Sequence, residues 1–325
     1  MLIGLDRKTL EKTKVTPTAL DDFDDFWNTT LADYLPQSPQ YSLVETESPL
    51  TLVSVHDVTV AGFNSDPIRG WFIQPKTDAE STPCIVFYDG YGGGRGLPHE
   101  WLFWANVGYR VLVMDTRGQG GGFRVSDTPD GSYVREPQSP GYMTSGILDP
   151  KNYYYRRVYV DAVAFVEVAK VLPGVDAQRI IVAGGSQGGG IALAAASLAK
   201  GIFAALPDVP FLCHFKRATE MVDTFPYHEI TSYCRIHRDK VDQVFHTLSY
   251  FDNLNLVQRA TCPALISVGM HDPVCPPDTI FAAINNYGGK VTTSIYEYNT
   301  HEGGSVAHQL VQANWISQLL GSGSE

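Results

Sequence analysis

The sequence predicts an α/β fold: a mainly parallel sheet with helices on both faces and a helical cap insertion. Three observations predict it. After Pro83, short apolar runs of strand length alternate with segments of helical periodicity, as connected parallel strands require. One such run, Arg179–Ala183, passes directly into Gly184-Gly185-Ser186-Gln187-Gly188 and an Ala-rich helix. Residues 208–260 break the alternation and read as mostly helical, with Tyr, Phe, His and charged residues mixed, as a cap over one end of the sheet would. A chain of 325 residues, 44% hydrophobic and 18% charged, suits a sizeable core rather than disorder. Residues 1–320 are read as one domain, and Gly321-Ser322-Gly323-Ser324-Glu325 as a flexible tail or expression scar.

Residues 18–35 read as an amphipathic helix, with Phe23, Phe26, Trp27, Leu31 and Tyr34 on one face. Thr18 with Asp21 is its expected cap, Pro36 its stop, and core packing the expected role of the aromatic stripe. Leu50–Val60 alternates, with Leu52, Ser54, His56 and Val58 on one face. With Ile68–Gln74, across Asn64-Ser65-Asp66-Pro67, it predicts an antiparallel hairpin at a sheet edge. Cys84–Tyr88 is apolar throughout, as a strand buried on both faces is. A Gly-rich loop, a helix near Pro98–Val107 and a strand Tyr109–Met114 follow. A Gly-, Pro- and Ser-rich insert covers Gly118–Gly146, and helix Tyr153–Leu172 ends at Pro173-Gly174. Beyond the Ser186 turn come helix Ile191–Leu198 and strand Ile202–Leu206. After the cap segment come strand Pro263–Gly269, helix Thr279–Tyr287, strand Lys290–Tyr298 and a last helix at Val306–Leu320.

Gly184–Gly188 fits G-x-S-x-G, a weak pattern alone but a specific one between an apolar strand and a helix. The sharp turn strains the serine backbone and exposes Oγ at a helix N-terminus. This predicts an α/β-hydrolase nucleophile. A serine hydroxyl needs a base, and the base an orienting carboxylate, expected in the chain order Ser, Asp, His. Asp272 and His301 each lie just past a predicted strand, as Ser186 does, on the face where open α/β sheets bind ligands. Ser186, Asp272 and His301 are therefore the predicted triad. Asp115 competes for the acid, and His271, which adjoins Asp272, for the base.

Acyl transfer also needs donors for the oxyanion. The backbone N–H groups of Gln187, after the nucleophile, and Tyr91, in the glycine loop after Tyr88, are the candidates. No glycine cluster completes G-x-G-x-x-G and no Walker sequence is present, so no nucleotide cofactor is expected. His301-Glu302 does not continue to H-E-x-x-H, and Cys84, Cys213, Cys234, Cys262 and Cys275 are scattered. Neither a metal site nor a disulfide framework is predicted, and a cytoplasmic location is expected. Net charge −11 opposes binding to nucleic acid or anionic lipid. The N-terminus carries no signal-like apolar run, and no stretch is long enough to span a membrane.

The chain resembles the acetyl xylan esterase/cephalosporin-C deacetylase family, carbohydrate esterase family 7. The resemblance runs through Phe23-Asp24-Asp25-Phe26-Trp27, Arg117-Gly118-Gln119, Gly146–Asp149, Tyr153–Arg156, the Gly184–Gly188 turn, Leu248–Asp252 and His301-Glu302. It implies hydrolysis of acetyl esters on short xylo-oligosaccharides and of the 3′-acetyl of cephalosporin C. It also implies the Ser186, Asp272, His301 triad, the Tyr91 and Gln187 oxyanion donors, and no cofactor. It further implies a homohexamer, a dimer of trimers with its active sites facing a chamber. Arg117 is expected to be structural. Chain position and the resemblance together suggest an acyl pocket walled by Tyr91 and Phe211, with core packing the alternative for Phe211. Two positions depart from the family pattern. Met270 stands where leucine is common, a volume-conserving change. Asp89 puts a carboxylate beside the oxyanion loop, where it would oppose developing charge unless paired or turned away.

Two rival readings share these residues. A peptidase of the prolyl-oligopeptidase type has the same triad order, but the segment before the first predicted strand is too short for the usual propeller. A silent hydrolase-fold binding module tends to lose a triad member, and all three are present here.

Overall fold

Most strands of the central sheet divide their side chains between two cores. In the computed structural model, which describes residues 4–131 and 140–321, the strands are β1 (Tyr41–Glu45), β2 (Val53–Ala61), β3 (Pro67–Pro75), β4 (Thr82–Tyr88), β5 (Arg110–Met114), β6 (Val175–Gly185), β7 (Ile202–Asp208), β8 (Ala264–Gly269) and β9 (Val291–Tyr296). Their spatial order is β1-β2-β3-β5-β4-β6-β7-β8-β9. The pairs β1–β2, β2–β3 and β3–β5 are antiparallel, and all others are parallel. In β4, Cys84, Val86 and Tyr88 enter one core and Ile85 the other. In β5, Leu112 and Met114 oppose Val111 and Val113 in the same way. Burial on both faces is why these strands read as unbroken apolar runs.

One face is covered by helices Phe23–Tyr34, Tyr154–Ala169, Gln187–Leu198 and Pro277–Ile284, the other by Leu102–Val107 and Ser305–Gly321. This is the expected α/β-hydrolase arrangement of a mixed, mainly parallel sheet between helical layers. Helix Tyr154–Ala169 is buried almost all round, so its tyrosines need internal partners. Tyr154 donates to the Arg117 carbonyl and Tyr159 to the Phe251 carbonyl.

The edge differs from the sequence expectation. The predicted hairpin is β2 and β3, but β1 lies outside it with only Leu43 half-buried, so it carries no apolar alternation to read. Nor does β2 bury one face along its length. Val53 and Val55 enter one core, Val58 and Val60 the other, and Leu52 is exposed. The strand crosses from cover on one side to cover on the other without a shift of register.

The N-terminal aromatic stripe is core. Phe23 and Trp27 are buried, and Trp27 Nε1 donates to the Tyr250 carbonyl at 2.8 Å. Its cap is not Thr18 with Asp21. Asp22 occupies the cap position without capping through its side chain, which accepts from the Tyr250 hydroxyl instead, while the Thr18 N–H donates to Asn255 Oδ1. The last helix ends at Gly321, and residues 322–325 of the expected tail lie outside the described residues.

Residues 208–260 hold the helices Phe215–Met221, Tyr227–Ile236, Val241–Ser249 and Asn253–Leu256. They are tied to the nucleophile helix through Asn253, whose Nδ2 donates to the carbonyls of Gly190 and Leu212. Asp252 accepts from the N–H groups of His214, Phe215 and Leu254, capping two of these helices' approaches at once.

Candidate active site

Four strand ends converge on one point. Ser186 follows β6, Asp272 follows β8, His301 follows β9, and Tyr91 follows β4. At Ser186 the backbone takes φ 55°, ψ −118°, a conformation that costs energy for any residue with a Cβ. It is held by three bonds: Ser186 N–H to the Asp208 carbonyl, and the Gly190 and Phe211 N–H groups to the Ser186 carbonyl. Two flanking glycines are sterically required. A Cβ on Gly184 would come within 2.6 Å of the Tyr88 carbonyl, and one on Gly188 within 2.0 Å of that same oxygen. At Gly185 the nearest atom would be 3.9 Å away, so that position is free, as the motif's variable place implies.

His301 Nε2 lies 2.9 Å from Ser186 Oγ, and His301 Nδ1 lies 2.8 Å from Asp272 Oδ2. Asp272 is fully buried, and its other oxygen accepts from the N–H groups of Val274 and Cys275. That fixes the carboxylate's rotation and leaves Oδ2 for the imidazole. The His301 loop is closed by Glu302, which accepts from Asn299 Nδ2 and from the Thr300 hydroxyl and N–H. These bonds, led by the one from the Thr300 hydroxyl, lower the Glu302 carboxyl to about 2. The His-Glu pair therefore presents the histidine on a fixed turn.

The rival residues have other work. Asp115 is buried and accepts from the N–H groups of Arg95 and Asp127 and from the Thr128 hydroxyl, so its oxygens hold loops together rather than a histidine. His271 forms no hydrogen bond to Ser186 among the described residues; its own N–H goes to the Asn299 carbonyl.

The Gln187 N–H is the first of its helix, one of the donors that no helical carbonyl can reach. The side chain below it is locked. Gln187 Oε1 accepts from the Tyr155 hydroxyl and from Gln119 Nε2, both at 2.8 Å, and Gln119 Oε1 accepts the Gly92 N–H at 2.7 Å. Gln119 thus bridges the two segments that carry the oxyanion candidates. Sequence reasoning assigned it no role; the Arg-Gly-Gln signature was its only signal. Arg117, as expected, is structural: it is buried and bonds both oxygens of Asp161.

A cavity of about 540 Å³ opens onto Ser186 and His301. Its walls are Gly90, Tyr91, Phe123, Pro140, Phe225, Pro226 and Val274. Phe211 is not among them, which corrects the sequence expectation. It is fully buried, with its ring 4.2 Å from that of Tyr227 and 6.4 Å from that of Tyr91, and so backs the pocket from the core. The walls that sequence reasoning missed, Phe123 and Phe225, are 61% and 64% exposed and lie in aperiodic loops. Among the described residues, Asp272, Cys275 and His301 are the group whose side-chain ligand atoms cluster, within 4.8 Å. Asp272 and His301 are already bonded to each other, and His301 to Ser186, an arrangement suited to proton transfer.

Asp89 is paired. Its Oδ1 accepts from Arg124 Nη1 at 2.7 Å, while Oδ2 is buried without a partner among the described residues. Burial pushes its carboxyl up to about 6 against the pull of Arg124. The native state then holds this proton more tightly than the unfolded chain, so stability falls as pH rises between the two values. The gap from 3.8 to about 6 corresponds to about 3 kcal/mol at most. In Asp89→Asn the Tm advantage over wild type should accordingly grow between about pH 4 and pH 7. A pH-independent difference across that range would contradict the buried-carboxylate reading.

The family model for acetyl xylan esterase (AXE1) matches residues 1–319 of the chain. The chain is 26% identical over 285 residues to the curated acetyl esterase Axe7A of Xylanibacter ruminicola. That match takes in 86% of this chain and 63% of Axe7A, so the chain spans less than two thirds of that relative. Among solved structures it is similar to the acetyl xylan esterase from Paenibacillus sp. R4, at 40% identity and a TM-score of 0.87, covering 97% of this chain and 99% of that one. Acetyl xylan esterase 1 from Thermoanaerobacterium sp. JW/SL YS485 is similar at 30% identity, with the same TM-score and coverage.

Proposed function

The chain belongs to the acetyl xylan esterase family, and from that premise we propose that it is a carbohydrate O-acetyl esterase working through Ser186, His301 and Asp272. The observation that carries this reading is the continuous line Ser186 Oγ, His301 imidazole, Asp272 carboxylate at the floor of the cavity. Ser186 Oγ attacks the acetyl carbonyl carbon as His301 Nε2 takes the hydroxyl proton. The negative oxygen is received by the N–H groups of Gln187 and Tyr91. The tetrahedral adduct collapses, and His301 returns the proton to the departing sugar oxygen. Water, deprotonated by the same nitrogen, then attacks the acetyl-serine carbonyl; the Ser186 oxygen departs, taking that proton back from His301, and acetate leaves. Asp272 holds the tautomer in which Nδ1 carries hydrogen. No cofactor enters these steps.

The substrates proposed are acetylated short xylo-oligosaccharides and the 3′-acetyl group of cephalosporin C. An aromatic mouth with a single nucleophile suits a small acyl group beside a ring-shaped alcohol. The assembly proposed is a homohexamer of two trimers. Its support is the open β1 edge and the apolar residues Val306 and Leu310, 74% and 62% exposed on the last helix. The location proposed is cytoplasmic, in keeping with five free cysteines. Among the described residues no helix is long and apolar enough to cross a membrane.

Acetate release should be compared for acetylated xylo-oligosaccharides, polymeric xylan and cephalosporin C. The oligosaccharides and the cephalosporin should be deacetylated well, the polymer slowly, and a dipeptide amide not at all. Butyryl esters should fall below acetyl, because each methylene a filled pocket excludes is worth about 1–3 kcal/mol of discrimination. Light scattering should give a mass near six chains. Hexanoyl esters turned over faster than acetyl, by a monomer equally active on polymer, would overturn these specifics.

A further inference from the structure

We propose that Glu229 is a positioning residue for the oxyanion hole, holding the Tyr91 loop in place from the cap segment. The inference rests on the esterase reading above and adds a residue to it. Tyr91 sits between Gly90 and Gly92, so little in its own backbone fixes the direction of its N–H. Its side chain supplies the anchor. The Tyr91 hydroxyl donates to Glu229 Oε1 at 2.6 Å and accepts from the N–H groups of Tyr142 and Gly141 at 2.9 and 3.2 Å. Glu229 Oε2 accepts from the Met143 N–H at 3.1 Å. Three separate segments thereby close a ring of hydrogen bonds: the loop after β4, residues 141–143, and the first turn of helix Tyr227–Ile236.

The ring has a direction. A phenol has one proton to give, and here it goes to a carboxylate, the stronger acceptor, leaving both lone pairs for backbone donors. Edge contacts of the Tyr91 ring with Tyr142 and Phe211 fix its plane. On the other side, the Gly92 N–H is held by Gln119. The Tyr91 peptide is therefore gripped from both flanks, and Glu229 supplies a hydrogen-bonded grip from the cap beside the ring contact of Phe211. The helix carrying Glu229 begins directly after Phe225 and Pro226, which wall the cavity, so the cap's seating and the donor's aim are one mechanical unit.

The test uses Glu229→Ala, Glu229→Gln, Tyr91→Phe and the double variant Glu229→Ala/Tyr91→Phe in the full chain. The readouts are steady-state hydrolysis of p-nitrophenyl acetate, inhibition by a small alkylboronic acid, inhibition by acetate, and Tm. Losing an oxyanion donor entirely costs about 10²–10³ in kcat, so a misaimed one should cost Glu229→Ala about 10- to 100-fold, with KM within about threefold. Boronate, whose adduct places an oxyanion in the hole, should weaken by a similar factor and acetate by less. Tyr91→Phe should resemble Glu229→Ala, and the double variant should be no worse than either. Glu229→Gln keeps an acceptor for Tyr91 but sets an NH₂ against the Met143 N–H, and should fall between. If Glu229→Ala does not fold, Glu229→Gln and Tyr91→Phe carry the comparison. Unchanged kcat, a rise in KM alone, or a lower Tm with boronate affinity intact would each overturn the proposal. Failure of the esterase reading itself is distinguishable: Ser186→Ala would then retain activity.

Discussion

Ser186→Ala should leave less than about a thousandth of wild-type turnover on an activated acetyl ester while the chain folds as before. The reason for the first half is that, among the described residues, Ser186 is the nucleophile hydrogen-bonded to His301 Nε2. Cys275 adjoins the site, but it is fully buried, and burial pushes its thiol well above the ordinary range. It stays protonated at neutral pH and is a poor substitute. What survives is the contribution of the oxyanion donors and the pocket to attack by water, typically several orders of magnitude below the intact triad. The reason for the second half is that alanine keeps the Cβ. The strained backbone at φ 55° is as strained with alanine as with serine, and the three bonds that hold the turn are all made by main chain. Circular dichroism and Tm should therefore match wild type. A folded variant retaining more than that activity would remove Ser186 from the mechanism.

Replacing Arg117 with methionine should cost about 3–5 kcal/mol of stability, the usual penalty for stranding one partner of a buried ion pair. The Arg117 side chain is fully buried. Nε and Nη2 bond the two oxygens of Asp161 at 2.6 and 2.9 Å, and Nη1 reaches Asp66 at 2.9 Å and Asp130 at 3.4 Å. Asp161 lies inside helix Tyr154–Ala169, with no exposed surface to turn toward. Burial already pushes its carboxyl up against the attraction of Arg117. Without the arginine it becomes an uncompensated charge or takes a proton. Asp130 keeps Arg157 and Asp66 keeps partial exposure, so the loss concentrates on Asp161. A fall in Tm of about 4–7 °C is expected for a chain of 325 residues. Adding Asp161→Asn to the arginine variant should recover part of it, because the stranded charge goes as well. Activity should fall too. The Arg117 carbonyl accepts from the Tyr154 hydroxyl, which in turn accepts from Gln119 Nε2, and Gln119 bonds Gly92 and Gln187, so a shift at Arg117 reaches the segments of the oxyanion candidates in three hydrogen bonds. A Tm within about 2 °C of wild type would show that the pair is not the keystone its burial implies.

Much of this molecule is legible without coordinates, for a definite reason. Periodicity states which face of an element is buried. The double-sided strands β4, β5, β6 and β8 therefore announce a covered parallel sheet, and the Phe23–Trp27 stripe announces a packed helix. Chain order and strand ends then bring Ser186, Asp272 and His301 to one face, because parallel strands must all deliver their carboxyl ends to the same side. Tertiary structure decided what periodicity cannot encode. Whether Asp115 or Asp272 serves His301 depends on which loop folds back toward β9, and Asp115 turned out to hold Arg95 and Asp127 instead. Whether Asp89 threatens the oxyanion depends on Arg124, 35 residues away. The pocket walls are Phe123 and Phe225 rather than Phe211, since aperiodic loops carry no local signal of the cavity they will face, while a buried phenylalanine beside a strand looks the same in sequence whether it lines a pocket or backs one. The sequence by itself indicated the sheet apart from β1, the strand ends and the three side chains of the proposed triad; the grips on the Tyr91 loop, through Gln119 and Glu229, exist only as contacts between segments distant in the chain, and only the folded packing could create them.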